Sequence, residues 1–502
     1  MTRRLELQPD RLFPPDPAVR EIARRLHSEV AGLPIISPHG HTDPRWFADN
    51  EPFTNATELL LAPDHYLFRM LFSQGIALSD LGVPRAGGTV GEGEPRELWR
   101  RLAQHYHLFR GTPSRLWLDW VFAEVFELEV QLSAATADRY FDAIAEKLAR
   151  PDYRPRALFD RFNIEVLTTT ESPLDELKHH AKIRDSGWNG TVITAYRPDP
   201  TVDPAFDGFR DNVQRLGELT GEDTSTWRGY LAAHRARREF FKRFGATSTD
   251  HGHPTARSAD LDARAAAALF QKIRSPKIRS PAPTSPTSPL SAEDAKIRSP
   301  APSADDAELF RAQMLTEMAR MSLDDGLVMQ IHPGAFRNHS RLVHRTYGRD
   351  KGFDIPMPTD YVHGLKPLLD AVGLDPRLSI ILFTLDESAY SRELAPLAGV
   401  YPSLKLGPAW WFFDSPEGMR RFREQTTETA GFYNTVGFND DTRAFLSIPA
   451  RHDVARRVDA AYLAGLVAEH QLNEDEAAEV IVDLAYNLPR RAYKLDQHAD
   501  TA

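Results

Sequence analysis

The sequence predicts an α/β protein whose core is a (β/α)8 barrel of TIM type, and three observations carry that prediction. First, eight short apolar runs of strand length recur along the chain: LPIISP, IEVLTT, TVITAY, GATSTD, LVMQIH, LSIILFT, SLKLG and TVGFND. Second, most are separated by segments long enough for a helix, the pattern of parallel strands joined by crossover helices. Third, nearly every run leads into polar, titratable or aromatic residues, as expected where functional side chains sit at the C-terminal ends of barrel strands.

Taken in order, residues 16–32 predict the opening helix. Asp16 caps it, Pro17 suits its first turn, Val19, Ile22, Ala23, Leu26 and Val30 share one face, and Gly32 ends it. The first strand follows at once, so residues 1–41 form the entry to the barrel. Residues 42–163 are far too long for one crossover, and their apolar stretches HYLFRMLF and LWLDWVFAEVFELEV predict a mostly helical insertion. Residues 164–452 carry the remaining strands, and 453–502 carry two C-terminal helices, roughly 453–471 and 474–487, that close the outside of the barrel. Asn473 and Glu476 have the spacing of a capping box at the start of the second. One segment breaks the composition. Residues 272–306 repeat KIRSP three times amid Pro, Ser and Ala, with too little apolar surface to offset ordering entropy, and predict a disordered surface insertion. A Ser-Pro phosphorylation or docking tail is the alternative reading.

Composition narrows the function. The 502 residues contain 61 Lys and Arg against 71 Asp and Glu, a net charge of −10. No long basic run is present, which argues against a nucleic-acid or anionic-membrane surface. A small anionic substrate would therefore need local arginines. With no cysteine, disulfides, thiolate zinc sites, iron–sulfur clusters and cysteine nucleophiles are excluded together. Any metal must be held by His and carboxylates. No run approaches the roughly 18 apolar residues of a membrane span, and the opening MTRRLELQPDRLFPPD lacks a signal peptide's apolar middle, so a cytoplasmic location is expected.

The candidate chemistry lies in the residues just beyond each strand. His39-Gly40-His41 succeeds the first; in extended chain, residues i and i+2 point the same way, so two imidazoles can face one divalent ion. A carboxylate is still needed, and Asp441, at the end of the last run, lies beside the first strand once the barrel closes. His251-Gly252-His253 is a competing pair that spacing alone does not rank. Asp250-His251 reads equally as a second half-site, as a base with its orienting partner, or as a polar loop capping the next helix. Arg197 and Arg443 are suited to bidentate grip of a carboxylate. Trp410-Trp411 reads either as core packing or as a sugar platform.

These motifs, in this order, resemble the uronate (glucuronate) isomerase family of the amidohydrolase superfamily. The resemblance is carried by the histidine pair after LPIIS, DHYLFR from Asp64, TTTESPLDEL from Thr168, YRPD from Tyr196, TDHG from Thr249, QIHPGAFRN from Gln330, GPAWWFFD from Gly407, and DTRAFLS from Asp441 with RHD after it. It runs from the N-terminal helix to about Leu495, interrupted by the KIRSP segment. Where many members read YHCHL, this chain reads SPHGHTDP; it also departs in the GHPTA loop and after Phe383.

The resemblance implies a distorted barrel of amidohydrolase type holding one divalent metal. Zinc is the first choice, and manganese, cobalt and iron also suit two histidines and an aspartate. It assigns His39, His41 and Asp441 as metal ligands, Arg443 to the substrate carboxylate, and His65, Arg197, Asp250, His332 and Trp410 or its neighbour to the substrate pocket. His253 falls outside the ligand set, because the second motif aligns with a DHG sequence. The implied activity is aldose–ketose interconversion of D-glucuronate with D-fructuronate and D-galacturonate with D-tagaturonate through a cis-enediol. Asp441 would act as base and Tyr66 as proton relay. The expected partner is a small uronic acid, with no nucleic acid or membrane, and homo-oligomers are common in the family. A metal-dependent hydrolase or decarboxylase on the same scaffold, and a non-catalytic sugar-acid-binding protein, are the competing functions.

Overall fold

Short β-branched and leucine-rich runs become a parallel sheet because both of their faces are buried. In the computed structural model, which describes residues 3–88, 93–275 and 302–498, seven strands are hydrogen-bonded in sequence around a curled sheet. They are β1 (Ile35–Ser37), β2 (Ile164–Glu171), β3 (Thr191–Tyr196), β4 (Ser248–His251), β5 (Val328–Ile331), β8 (Ile380–Leu382) and β9 (Leu404–Leu406). A side hairpin, β6 (Ala335–Phe336) with β7 (Ile355–Pro356), leaves the sheet after β5. The sheet is the wall of a distorted (β/α)8 barrel with a helical insertion after the first strand and extra helices at the C-terminus.

The eighth apolar run departs from expectation. TVGFND makes one parallel bridge, Leu406 with Thr435, and no ladder. Gly437 takes φ +77°, and a Cβ there would lie 2.4 Å from the Leu484 carbonyl oxygen and 2.6 Å from Pro489. The C-terminal segment thus packs so closely on Gly437 that no side chain fits there. Tyr493 and Leu495 from that segment join Ile36, Val166, Ile193, Val328, Ile381 and Val436 in one buried cluster. The end of the chain therefore plugs the barrel as well as covering its outside. The gap at the rim is spanned by the His41 amide, which donates to the Thr442 carbonyl at 3.1 Å.

The opening helix runs Pro17–Val30, with Asp16 accepting from the amides of Ala18 and Val19, and ends with Ala31 as its C-cap and Gly32 just beyond, as expected. Its Ala23, Leu26 and Val30 are buried against the long helix Ile448–Ala468 and the helix Glu474–Val482. The latter carries the full Asn473–Glu476 capping box. Between β1 and β2 the chain forms a series of helices with its own aromatic core around Trp99, Phe122 and Tyr140.

The low-complexity segment is narrower than expected from composition. Lys272 and Arg274 end the helix Ala263–Arg274, and Ser303 and Asp306 form a capping box opening the helix Ala304–Asp325. These flanks order because Phe270, Ile273 and Phe310 are buried together, and Lys272 donates to Asp306 at 2.8 Å. The predicted disorder of the centre, 276–301, lies outside the described residues.

Candidate metal and substrate site

His39 and His41 follow the end of β1 at Ser37, where the chain bends at His39, and their rings meet edge-on with centroids 5.3 Å apart. Asp441 Oδ1 lies 3.5 Å from His39 Nε2 and 3.2 Å from His41 Nε2. Among the described residues, this trio is the one group of three His and carboxylate residues whose ligand atoms all fall within 4.8 Å of each other. The second pair is not part of it: His251 is turned to the Thr249 hydroxyl, 2.9 Å away.

The trio fits a divalent cation on its own geometry. Asp441 Oδ1 is buried and receives no hydrogen bond, while Oδ2 accepts from the Trp410 indole. Burial opposes the charge, but His41, His39 and Trp410 outweigh it and hold the carboxyl well below the usual carboxylate range. Burial also lowers His41, favouring the neutral imidazole that can ligate. Asp441 itself sits at φ +36°, an unusual conformation for a residue other than glycine. It is steadied by its amide donating to Asn439 Oδ1 at 2.9 Å. Behind His39, the Gln330 carboxamide lies 3.2 Å from Nδ1, and the Tyr493 hydroxyl lies 2.9 Å from Gln330 Oε1.

The trio lies in a cavity of about 900 Å³, also lined by His65, Tyr66, Arg197, His332, Trp410, Trp411 and Arg443. Asp64 delivers the His65-Tyr66 pair by capping the helix His65–Ser73: its carboxylate accepts from the Tyr66 amide at 2.8 Å. His65 stacks on Tyr66 with centroids 4.9 Å apart. Burial, aided by Arg443 and Arg69, pushes His65 down to about 3. Burial, reinforced by Asp414, pushes the Tyr66 phenol well above its ordinary value. Arg197 is committed within the wall, with Nε donating to Asp199 at 3.0 Å and Nη1 lying 3.2 Å from Asp250. Asp250 is fully buried, 2.6 Å from His332 Nε2. Despite burial, His332 and Arg197 hold its carboxyl well below the usual range. Arg443 is the freer guanidinium: its side chain is 41% exposed and its one ionic contact among the described residues is Asp350 at 3.4 Å.

Both tryptophans reach the cavity. Trp410 binds Asp441 and meets His332 edge-on at 5.0 Å; Trp411 meets His65 at 5.8 Å. Several cavity residues were not singled out by sequence: Asp199, Asp350, Asp414 and Arg451. Of these, Asp199, Asp414 and Arg451 stand inside the YRPD, GPAWWFFD and RHD motifs, which was the available signal. Among the described residues, no helix is long and apolar enough to cross a membrane.

A parallel barrel wall, a two-histidine, one-aspartate cluster at its C-terminal rim and arginines around the same cavity define an enzyme of the amidohydrolase superfamily. The glucuronate isomerase family model matches residues 18–285 and 290–493. The uronate isomerase of Phenylobacterium zucineum is 66% identical over 501 residues, covering 100% of this chain and 99% of that protein. The crystal structure of glucuronate isomerase from Caulobacter crescentus superposes with a TM-score of 0.92 at 61% identity, covering 99% of this chain and 98% of that one. The uronate isomerase structure from Thermotoga maritima gives a TM-score of 0.86 at 27% identity, covering 97% and 99%. The chain belongs to the glucuronate isomerase family.

Proposed function

We propose that this cavity interconverts the aldose and ketose forms of hexuronates, D-glucuronate with D-fructuronate and D-galacturonate with D-tagaturonate. The observation that carries the reading is the position of Asp441: one carboxylate at once completes the histidine cluster and stands two residues from Arg443, a half-exposed arginine of the same cavity held, among the described residues, by a single solvent-exposed carboxylate, Asp350. Isomerisation needs a base near C2, a group that manages protons on the two oxygens, and an anchor for the distal carboxylate.

Arg443 anchors the carboxylate, since Arg197 is already engaged by Asp199 and Asp250. Fixing that remote charge sets which carbon faces Asp441. Asp441, held ionised, accepts the C2 proton and returns it to C1. Because so strongly stabilised a carboxylate is a weak base, the enediol intermediate must be stabilised by its surroundings. Tyr66, protonated at any working pH, handles the hydroxyl protons. Trp410 holds Asp441 in place from the side opposite the histidines. A divalent cation bound by His39, His41 and Asp441, zinc being the first choice and manganese, cobalt or iron alternatives, supplies electrostatic stabilisation of charge on the substrate oxygens. His65 and His332 shape the pocket around the sugar, and Asp250, buried behind the wall rather than in the lining expected from the family resemblance, positions His332 and Arg197. We read the enzyme as cytoplasmic.

The test is proton NMR of metal-loaded protein with D-glucuronate and then D-galacturonate in heavy water. Conversion of either sugar, lost on chelation and in Asp441→Asn with the fold retained, supports the reading. Failure to convert either sugar with one equivalent of metal bound refutes it.

A further inference from the structure

Tyr66 is not free to act alone. A phenol hydroxyl has one proton to give and two lone pairs to receive. The Phe412 amide donates to it at 3.3 Å, and its own proton faces Asp414, whose two carboxylate oxygens both lie 3.2 Å away. One lone pair is left on an atom of a residue that lines the cavity. In this arrangement Tyr66 is an acceptor toward a bound sugar and a donor toward Asp414. Phe412 holds φ +65°, a conformation that non-glycine residues adopt only where their surroundings enforce it.

Asp414 is fixed in turn. Arg451 Nη1 donates to its Oδ2 at 2.7 Å and to the Asp440 carbonyl at 3.4 Å; Arg451 Nε donates to Ser447 at 3.2 Å. The Arg451 guanidinium lies 3.6 Å over the Trp117 ring. Arg451 is 3% exposed and Asp414 7%. A buried ion pair is weak evidence for stability, and this one borders the substrate cavity with its carboxylate turned to a phenol.

We propose that Asp414, positioned by Arg451, is the far end of a two-step proton relay that runs through Tyr66 and carries the hydroxyl proton between the two reacting substrate oxygens. The proposal rests on the isomerase reading. The enediolate that forms when C2 loses its proton still carries a hydroxyl proton on O2, and the product requires that proton on O1. The O2 proton passes to the Tyr66 oxygen as the Tyr66 proton passes to Asp414. Both transfers then reverse onto O1 as C1 is protonated. The relay ends in its starting state, and no co-reactant is consumed.

The test is steady-state turnover of D-glucuronate by the metal-loaded full chain as parent, Tyr66→Phe, Asp414→Asn and the double variant, with metal content and circular dichroism measured for each. General acid–base groups contribute about 10²- to 10⁴-fold. Each single variant is expected to lower kcat by about 10²-fold or more, with KM within about threefold and one metal retained. Because one path is cut twice, the double variant is expected within about threefold of the slower single one. Multiplying losses, or an Asp414→Asn variant with parental kcat, overturn the relay. The parent offers a second measurement that needs no variant to fold: kcat in mixtures of light and heavy water. A curved dependence shows more than one proton moving; a straight one overturns the relay. A parent that turns over neither uronate overturns the isomerase reading and the relay with it, whereas an active parent with a normal Asp414→Asn variant overturns the relay alone.

Discussion

Replacing Glu171 by Gln should stabilise the protein at neutral and alkaline pH and leave it unchanged in acid. Glu171 ends β2 at the cavity wall, its side chain about one-tenth exposed. Its carboxyl touches the Thr194 hydroxyl, and its nearest imidazole, His180 Nε2, is 3.9 Å away. Burial pushes His180 down to about 4, so that ring is neutral and gives no compensating charge. Burial therefore dominates at Glu171, only partly offset by the Thr194 and Thr169 hydroxyls, and lifts its carboxyl from 4.5 to about 7. In this window the folded protein holds a proton that the unfolded chain has lost, so stability falls as pH rises from 4.5 to about 7. At about 1.4 kcal/mol per tenfold change in proton activity, the loss amounts to about 3 kcal/mol. Glutamine keeps the shape without the titration. Urea midpoints of parent and variant across pH 4.5–8.5 provide the assay, because the pH dependence of the metal site is common to both and cancels. The variant should match the parent near pH 4.5 and exceed it by up to about 3 kcal/mol at pH 8. Parallel curves across the range would refute the reasoning.

Three further outcomes are expected from the geometry. Arg443→Met should raise KM for uronates about 10- to 100-fold, the worth of a charge-assisted hydrogen-bonded contact, with a smaller change in kcat; an unchanged KM in steady-state kinetics would move the carboxylate to another group. Chelation should abolish turnover and lower the thermal midpoint, both restored by divalent metal, since ligand at a thousandfold excess over its Kd stabilises by about 4 kcal/mol. Arg238 is fully buried and donates to Asp325 at 2.5 and 2.9 Å, so Asp325→Ala should destabilise by about 3–5 kcal/mol in denaturant titration. A loss under about 1 kcal/mol would show that water reaches the arginine.

Much of the barrel was legible because its strands are short runs of apolar and β-branched residues with no competing pattern. Capping signals were local as well: Asp16 and the Asn473–Glu476 pair lie within three residues of the amides they bind. The eighth run misled because nothing within TVGFND reveals that Gly437 takes a positive φ beneath Leu484 and Pro489. The low-complexity boundary was set too wide because proline and serine around Ile273 and Phe310 mask residues that tertiary packing buries. In the site, spacing offered two His-x-His pairs and the family resemblance chose His39 and His41, whereas the partnerships of Tyr66 had no local signal at all. Asp414 meets Tyr66 across 348 positions of sequence and Arg451 meets Asp414 across 37. Gln330 supports His39 across 291. Such partnerships exist only after folding, and local pattern carries no trace of them.

The hold of Tyr493 on Gln330, and of Gln330 on His39, bears on the order in which this enzyme matures during synthesis. His39 and His41 leave the ribosome early, followed much later by Gln330 and later still by Asp441. The residue that braces Gln330 comes after all of them. Through most of translation the nascent chain therefore displays a bare pair of histidines, a weak and indiscriminate trap for cations. On the proposed ligand set, selective loading would wait until the C-terminal segment seats and the third donor arrives. A chain released without residues beyond Leu484 would carry all three proposed ligands and still lack the Tyr493 contact that holds Gln330 beside one of them.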